Sequence, residues 1–319
     1  MSVLVTGAGG IGLKTARLLR DAGQSVVVAD VNRIDLGEAD RGIVSIVCDV
    51  TDRKAIAAAI AAHNVTAIIH TAALLSTAIR KDPPRGVLVN TVGTANVLQA
   101  AHEAGVKRVV VASSTTVGYT AFASHDALPI EEDLPLRIVS ERPGSIYAAT
   151  KLAAEHLALL YRDLYGLDVV VLRYGAVLDK GPGLVTSVPG RLLSVLLAAG
   201  AQGVPAVIDD PFLLWEGREE FVDARDCAVA NIHALNAPAP RARVYNIATG
   251  LWHSFDEVCA AVRSIYPALT VDLRVSAKGG FAGFPHLRPA PSDVRQAEQE
   301  LGFRAAITLA ETIRDFSRS

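Results

Sequence analysis

The feature that most restricts how this chain can fold is a short run near its amino end, Gly7-Ala8-Gly9-Gly10-Ile11-Gly12. It follows a β-branched-rich segment at residues 3–5 and precedes residues 13–22, whose apolar positions recur at helical spacing until Gly23 stops them. A G-x-G-x-x-G turn between a strand and a helix allows a tight bend, close backbone approach to phosphates and close packing of helix on strand. The amino end of such a helix also attracts an anion.

The alternation continues along the chain. Residues 25–29, 43–48, 67–70, 109–112 and 169–172 read as strands, and residues 55–63, 90–104 and 146–165 as helices. Strands that are apolar on both faces must be covered on both faces, which predicts an α/β fold built on a Rossmann-like, doubly wound parallel sheet. Ligands of such sheets bind beyond the carboxyl ends of the strands, where Gly7, Asp30, Ala73, Ser114 and Tyr174 fall. After Arg173 the regularity weakens, with Gly and Pro gathered over residues 181–190 and 279–291. Residues 1–174 are therefore expected to form a dinucleotide-binding domain. Residues 175–319 are expected to be mainly a smaller C-terminal substrate-binding lobe, with some segments returning to the Rossmann sheet. Asp82-Pro83-Pro84 and residues 123–142 and 129–143 read as loops.

Asp30 closes the second strand 18 residues after Gly12. A carboxylate there accepts hydrogen bonds from both adenosine ribose hydroxyls and repels a 2'-phosphate, so the expected cofactor is NAD rather than NADP. Nearby Arg33 reads as solvated surface. Half of the 319 residues are apolar, enough for a substantial core, and 31 Lys and Arg against 33 Asp and Glu leave a formal charge of −2 with no basic run. That balance argues against nucleic acid and for a small-molecule substrate. Cys48, Cys227 and Cys259 lack C-x-x-C spacing, so they read as buried structural residues and no metal site is expected. The apolar stretches are too short and interrupted to cross a bilayer, and no signal segment is evident, so no membrane association and a cytoplasmic location are expected.

Tyr147 and Lys151 lie four residues apart on one helix and so share a face. An ordinary phenol titrates at about pH 10, and positive charge from the lysine and an oxidised nicotinamide favours its phenolate, which can exchange a proton with an alcohol. Upstream, Val109-Val110-Val111-Ala112-Ser113-Ser114 is a strand running into hydroxyl residues. His70 ends an apolar strand and reads as a satisfied core histidine.

These features together resemble the extended short-chain dehydrogenase/reductase family, the NAD-dependent epimerase/dehydratase group. The resemblance spans nearly the whole chain: the glycine turn, Asp49-Val50, His70-Thr71-Ala72-Ala73, Asn90, Ser113-Ser114-Thr115-Thr116-Val117, Tyr147 with Lys151, Leu172-Arg173-Tyr174, Glu220-Phe221-Val222 and Val244-Tyr245-Asn246-Ile247. It implies that Tyr147 is the general acid/base, that Lys151 lowers its pKa and holds the nicotinamide ribose, and that Ser114 hydrogen-bonds the reacting oxygen, with Ser113 or Thr115 sharing that last role. Gly7, Gly9, Gly10, Ile11, Gly12, Asp30, Asp49, Val50, Ala72, Ala73, Asn90, Ser113 and Tyr174 join Tyr147 and Lys151 as expected NAD contacts. Substrate contacts are expected from Ser76, Arg80, Thr115, Thr116, Ala176 and Arg218. The resemblance also implies a homodimer packed through the helices that begin near Asn90 and Ile146.

Departures from the family pattern bear on the substrate. The glycine turn is one residue short, and Val117-Gly118-Tyr119 stands where members often read Val-Tyr-Gly. Where nucleotide-sugar enzymes carry an asparagine and an arginine for the substrate diphosphate, this chain places Ala176 and Glu219, with Arg218 adjacent. Replacing a cation by an anion beside a diphosphate turns attraction into repulsion. The favoured reading is an NAD-dependent oxidoreductase acting on a small polar secondary alcohol, such as a hydroxy acid, a sugar acid or an amino alcohol. The alternatives are a nucleotide-sugar epimerase or dehydratase with tightly held NAD, and a non-catalytic NAD-binding sensor.

Overall fold

Uniformly apolar strands can be hidden only inside a layered structure, and the chain places them there. The computed structural model describes residues 1–126, 128–136, 145–180 and 187–318. In its first part lie β1 (Ser2–Thr6), β2 (Ser25–Asp30), β3 (Ile43–Val47), β4 (Ala67–His70), β5 (Arg108–Ser114) and β6 (Val169–Tyr174). Shorter strands follow: β7 (Ala176–Leu178), β8 (Ala206–Ile208), β9 (Phe221–Asp223), β10 (Val244–Ile247) and β11 (Val271–Leu273). Seven of them form one parallel sheet in the order β10-β6-β5-β4-β1-β2-β3. The order reverses direction between β1 and β4, and that switch opens a crevice at the carboxyl ends of the strands. The α/β, Rossmann-like doubly wound architecture is as expected.

Alternation along each strand divides the core in two. Val3 and Val5 of β1 pack with Ala16 and Leu19 of α1 (Gly10–Asp21) and, much later in the chain, with Cys227 and Ala230 of a helix at Ala224–Asn236. Leu4 faces the other way, toward Ile56 and Ile60 of α2 (Arg53–Ala62). The same layer holds Val97 and Leu98 of a helix at Gly93–Glu103 and Ala158 of one at Ile146–Tyr165. Cys48, Cys227 and Cys259 are all buried and unpaired.

One expected loop is helical instead. Asp82 accepts a hydrogen bond from the Arg85 amide, and Pro83 opens a helical turn where its missing N–H is no loss. After α3 (Ser76–Lys81), α4 (Pro83–Val87) passes through a π turn at Leu88–Val92 into α5 (Gly93–Glu103). The helix expected over residues 90–104 thus begins seven residues earlier, and Asn90 sits in the widened turn. Of the loops expected over 123–142 and 129–143, residues 127 and 137–143 lie outside the described residues, as do residues 181–186 of the first Gly and Pro cluster.

A second apolar core lies beside the sheet. It joins Leu192, Leu193 and Leu196 of α7 (Val188–Gln202) to Trp215, Phe221, Phe255, Phe281 and Phe284. Among the described residues, no helix is long and apolar enough to cross a membrane.

Candidate active site

A cavity of about 510 Å³ opens at the crevice. At one end it is bounded by the glycine turn, and the three motif glycines do different work there. Gly7 has φ +86°, and a Cβ on it would lie 2.7 Å from the Ala72 backbone. A Cβ on Gly12 would lie 1.9 Å from the Gly7 carbonyl oxygen, whereas one on Gly9 meets nothing within 4 Å. Gly7 and Gly12 therefore let backbone pack on backbone, and Gly9 leaves the cavity wall bare, as a pyrophosphate at the amino end of α1 requires.

Asp30 ends β2 beside this turn. Its carboxylate accepts hydrogen bonds from the amides of Ala8 at 2.9 Å and Asn32 at 3.0 Å, which hold it facing the cavity. Gly10, Ile11, Asp49, Val50, Ala72 and Ala73 line the same space. Asp49 is held by the Thr51 amide and by Arg85 at 3.1 Å. Asn90 stands behind the wall: its side chain exchanges hydrogen bonds with the Leu74 backbone at 2.7 and 3.0 Å and donates to Thr150. A bare backbone cradle at a helix amino end, with a carboxylate at the close of the second strand, fits NAD.

Sequence reasoning missed one residue at this end. The Asp179 carboxylate packs where a Gly10 side chain would be, 1.5 Å from the Cβ position, and accepts a hydrogen bond from Lys14 at 2.5 Å. The pair ties the residue just after β7 to α1. Its partners are 165 residues apart, so no local spacing announces them.

The residues expected to be catalytic border the same cavity. Ser145 caps α6 (Ile146–Tyr165) by accepting from the Ala148 amide, which sets Tyr147 in the first turn and Lys151 one turn on, facing the same way. Lys151 Nζ donates to the Ala112 carbonyl at 2.8 Å and lies 6.0 Å from the centre of the Tyr147 ring. Burial pushes the lysine down to about 8. Burial also pushes the Tyr147 phenol up to about 12, against the opposing influence of the Ser114 hydroxyl beside it. Ser114, Tyr147 and Lys151 all line the cavity.

Neighbouring polar groups are occupied with support. Ser113 donates to Glu155 at 2.8 Å, and Glu155 is gripped by Arg173, so β5, α6 and β6 are tied together behind the site. Tyr174 borders the cavity and donates to Asn231 at 2.7 Å. His70 is a core residue held between the hydroxyls of Thr6 and Thr94, and burial with the Lys151 charge pushes it down to about 3. Arg33 is exposed.

The lysine makes a prediction about stability. Its folded pKa lies below the ordinary 10.5, so between about pH 8 and 10.5 the unfolded chain holds more protons and stability rises with pH. At pH 7 the buried charge costs about 3 kcal/mol. Lys151→Met is expected to stabilise the cofactor-free protein by about 1–3 kcal/mol and to flatten that pH dependence. Urea titrations at pH 7 and pH 9.5 check this; a destabilised variant at both would contradict it.

At the far end, Ser76, Thr115, Thr116 and Ala176 line the cavity, joined by Tyr119, Val177, Phe281 and Phe284. Arg80 and Arg218 do not. The Arg80 guanidinium lies 3.5 Å over the Phe212 ring and donates to the Ala282 carbonyl, while Arg218 is exposed and paired with Glu257 at 2.7 Å. Glu219 is not a free anion either. It is buried against Arg288, 3.2 Å away, and accepts a hydrogen bond from the Tyr119 hydroxyl. The same guanidinium reaches Glu220 at 2.8 Å and Ser292 at 2.7 Å. Arg288 went unnoticed in the sequence because its partners are 68 and 69 residues away.

This geometry agrees with comparison to known proteins. The model of the NAD dependent epimerase/dehydratase family matches residues 3–248. The chain belongs to this family. Its relatives are NAD-dependent enzymes of the extended short-chain dehydrogenase/reductase type, and NAD is its cofactor. A 3-diazoavenalumate denitrifying reductase from Streptomyces sp is 35% identical over 65% of this chain and 68% of its own length. UDP-glucose 4-epimerase from Mycolicibacterium smegmatis is 28% identical over 98% of this chain and 96% of its own. The structure of MoeE5 in complex with UDP-glucuronic acid and NAD superposes with a TM-score of 0.79 and 28% identity, covering 100% of this chain and 99% of that one. Family membership accounts for the sheet, the glycine turn and the Tyr147 helix, but its members act on different substrates.

Proposed function

We propose that this chain is an oxidoreductase that moves a hydride between a secondary alcohol and NAD, with Tyr147 exchanging the hydroxyl proton. The observation that carries the reading is that Ser114, Tyr147 and Lys151 line the same cavity as the glycine turn and Asp30. NAD, when bound, supplies the nicotinamide carbon that takes or gives the hydride.

The chain's own residues do the rest. Ser114, at the end of β5, orients the alcohol oxygen toward the phenol. Tyr147 removes its proton as a general base, and Lys151 holds positive charge beside the resulting phenolate and grips the nicotinamide ribose. In the reverse direction Tyr147 returns the proton to the carbonyl oxygen. Residues 1–174 hold the cofactor in this reading, and residues 175–319 supply much of the substrate wall. Ser76 and Thr115 offer hydroxyls to a polar alcohol, while the Thr116 hydroxyl is buried without a hydrogen-bond partner among the described residues. Of the alcohols expected from the sequence, hydroxy acids and sugar acids suit these walls least, because their carboxylates need a cation.

The relatives favour a second reading, a nucleotide-sugar epimerase or dehydratase with tightly held NAD. Incubation with NAD and a panel of alcohols separates the two. Net NADH formation supports the oxidoreductase; isomerised UDP-sugar without NADH supports the epimerase. NAD binding with no turnover of either class would favour a sensor.

We also propose a cytoplasmic homodimer. Val92 on the turn before α5 and Leu160, Leu164 and Tyr165 on α6 are apolar and exposed, Leu164 by 67%, and pairing α5 and α6 with their copies covers them. Light scattering is expected to give twice the 33.6 kDa chain mass, and Leu164→Asp to give the monomer. A wild-type monomer refutes the dimer.

A further inference from the structure

We infer that the substrate is uncharged and presents a flat apolar group to the wall made by Tyr119, Phe281 and Phe284, an inference that rests on the oxidoreductase reading above. Two independent observations point there: what has become of the cations, and what faces the cavity in their place.

Among the described residues, Arg80, Arg191, Arg218 and Arg288 are each already engaged. Arg288 is the most telling. Its side chain is 2% exposed, and its donors go to Glu219, Glu220, Ser292 and the Ala290 carbonyl. To reach a phosphate or carboxylate it would have to leave two buried glutamates, whose side chains are 2% and 0% exposed, without their counterion. Glu220 is pinned further by the amides of Ser292 and Gly250. Arg191 pairs with Asp210 at 2.7 Å, Arg218 with Glu257, and Arg80 with Phe212 and the Ala282 carbonyl. An anionic substrate would lose its water here and find none of these four arginines free to pair with it.

The aromatic wall is ordered by the same cluster. Because the Tyr119 hydroxyl donates to buried Glu219, the ring rather than the hydroxyl is presented to the cavity. Its ring packs edge-on to Phe284 at 4.0 Å and to Phe122 at 4.6 Å between centroids. Val177, Val188 and Pro189 continue the surface. Such walls reward a flat apolar group through burial and edge-to-face contact. The buried Glu219 carboxylate therefore acts through its neighbours rather than by repelling a diphosphate. It occupies Arg288 and, through Tyr119, faces the cavity with carbon.

The test uses the NAD-loaded full chain with 1-phenylethanol, lactate and UDP-glucose, following NADH formation, isomerisation of the UDP-sugar and, for acetophenone and UDP, the shift in thermal unfolding. We expect kcat/KM for 1-phenylethanol to exceed that for lactate by about 100-fold. Acetophenone should raise the melting temperature and UDP should not. Phe284→Ala should raise KM for 1-phenylethanol about tenfold, with a smaller change in kcat. Comparable or better turnover of lactate or UDP-glucose, or stabilisation by UDP, overturns the inference while leaving Tyr147 chemistry standing. Stabilisation by acetophenone with no NADH from any alcohol would support the binding preference and sink the oxidoreductase reading instead. Failure of acetophenone to bind overturns the inference outright.

Discussion

Tyr147→Phe is expected to lower kcat by about 10²–10⁴-fold while the affinity for NAD stays within a few-fold of wild type. The substitution removes only the phenol oxygen, so the ring keeps its place on α6 and Lys151 keeps its bond to the Ala112 carbonyl. Alcohol oxidation needs the phenolate, and burial holds the free phenol up to about 12. The wild-type kcat/KM for oxidation should therefore climb as pH rises from about 6 to 9, as the proton becomes easier to lose. Carbonyl reduction needs the protonated phenol and should not share that climb. Stopped-flow hydride transfer with separate NAD titrations decides the matter. Retention of more than a tenth of wild-type kcat in the phenylalanine variant would rule Tyr147 out as the proton-exchanging group.

Gly12→Ala is expected to have the second-largest effect, on folding and cofactor binding together. Its Cβ would lie 1.9 Å from the Gly7 carbonyl oxygen and 2.9 Å from the Thr71 hydroxyl, and the first of these is main chain, which cannot rotate away. Moving β1 away from α1 costs about 1–3 kcal/mol, the usual penalty for overpacking, and takes Asp30 with it through its bond to the Ala8 amide. Calorimetry should show a lower melting temperature without cofactor and NAD affinity weakened by about 100-fold or more, about 2.7 kcal/mol or more. Gly9→Ala is the instructive contrast. Its Cβ has open space, so the cofactor-free protein should melt like wild type, and weakened NAD binding alone would then report that the pyrophosphate passes over this residue. Equal melting temperatures for all three proteins would refute the division of labour among the glycines.

The chain's local patterns already specified much of this molecule. Val3 and Val5 opposite Leu4 required a strand covered on both faces, and the core divides at those positions. The four-residue step from Tyr147 to Lys151 needed only a helix to bring both groups to one wall, because helical geometry converts that spacing into a shared face. Asp30 follows from strand length: a parallel strand ending at the crevice delivers its last side chain there. At Pro83 the structure differs from the expected loop: two prolines suggest a turn, but the Asp82 carboxylate caps a helix there by accepting from the Arg85 amide.

What the sequence alone could not determine was the charge that the substrate meets. By residue type alone, Arg80, Arg218 and Glu219 are each a candidate to touch a ligand. In the fold Arg80 lies over Phe212, Arg218 is bound by Glu257, and Glu219 is consumed by Arg288 and Tyr119. Backbone periodicity acts over a few residues and is written into neighbouring positions. Ion pairing acts through space between residues that the chain brings together only on folding, as Asp179 and Lys14 do across 165 positions. Hence the sheet, the cofactor turn and the Tyr147 helix were legible from local order, while the chemistry of the substrate wall was decided only by tertiary structure.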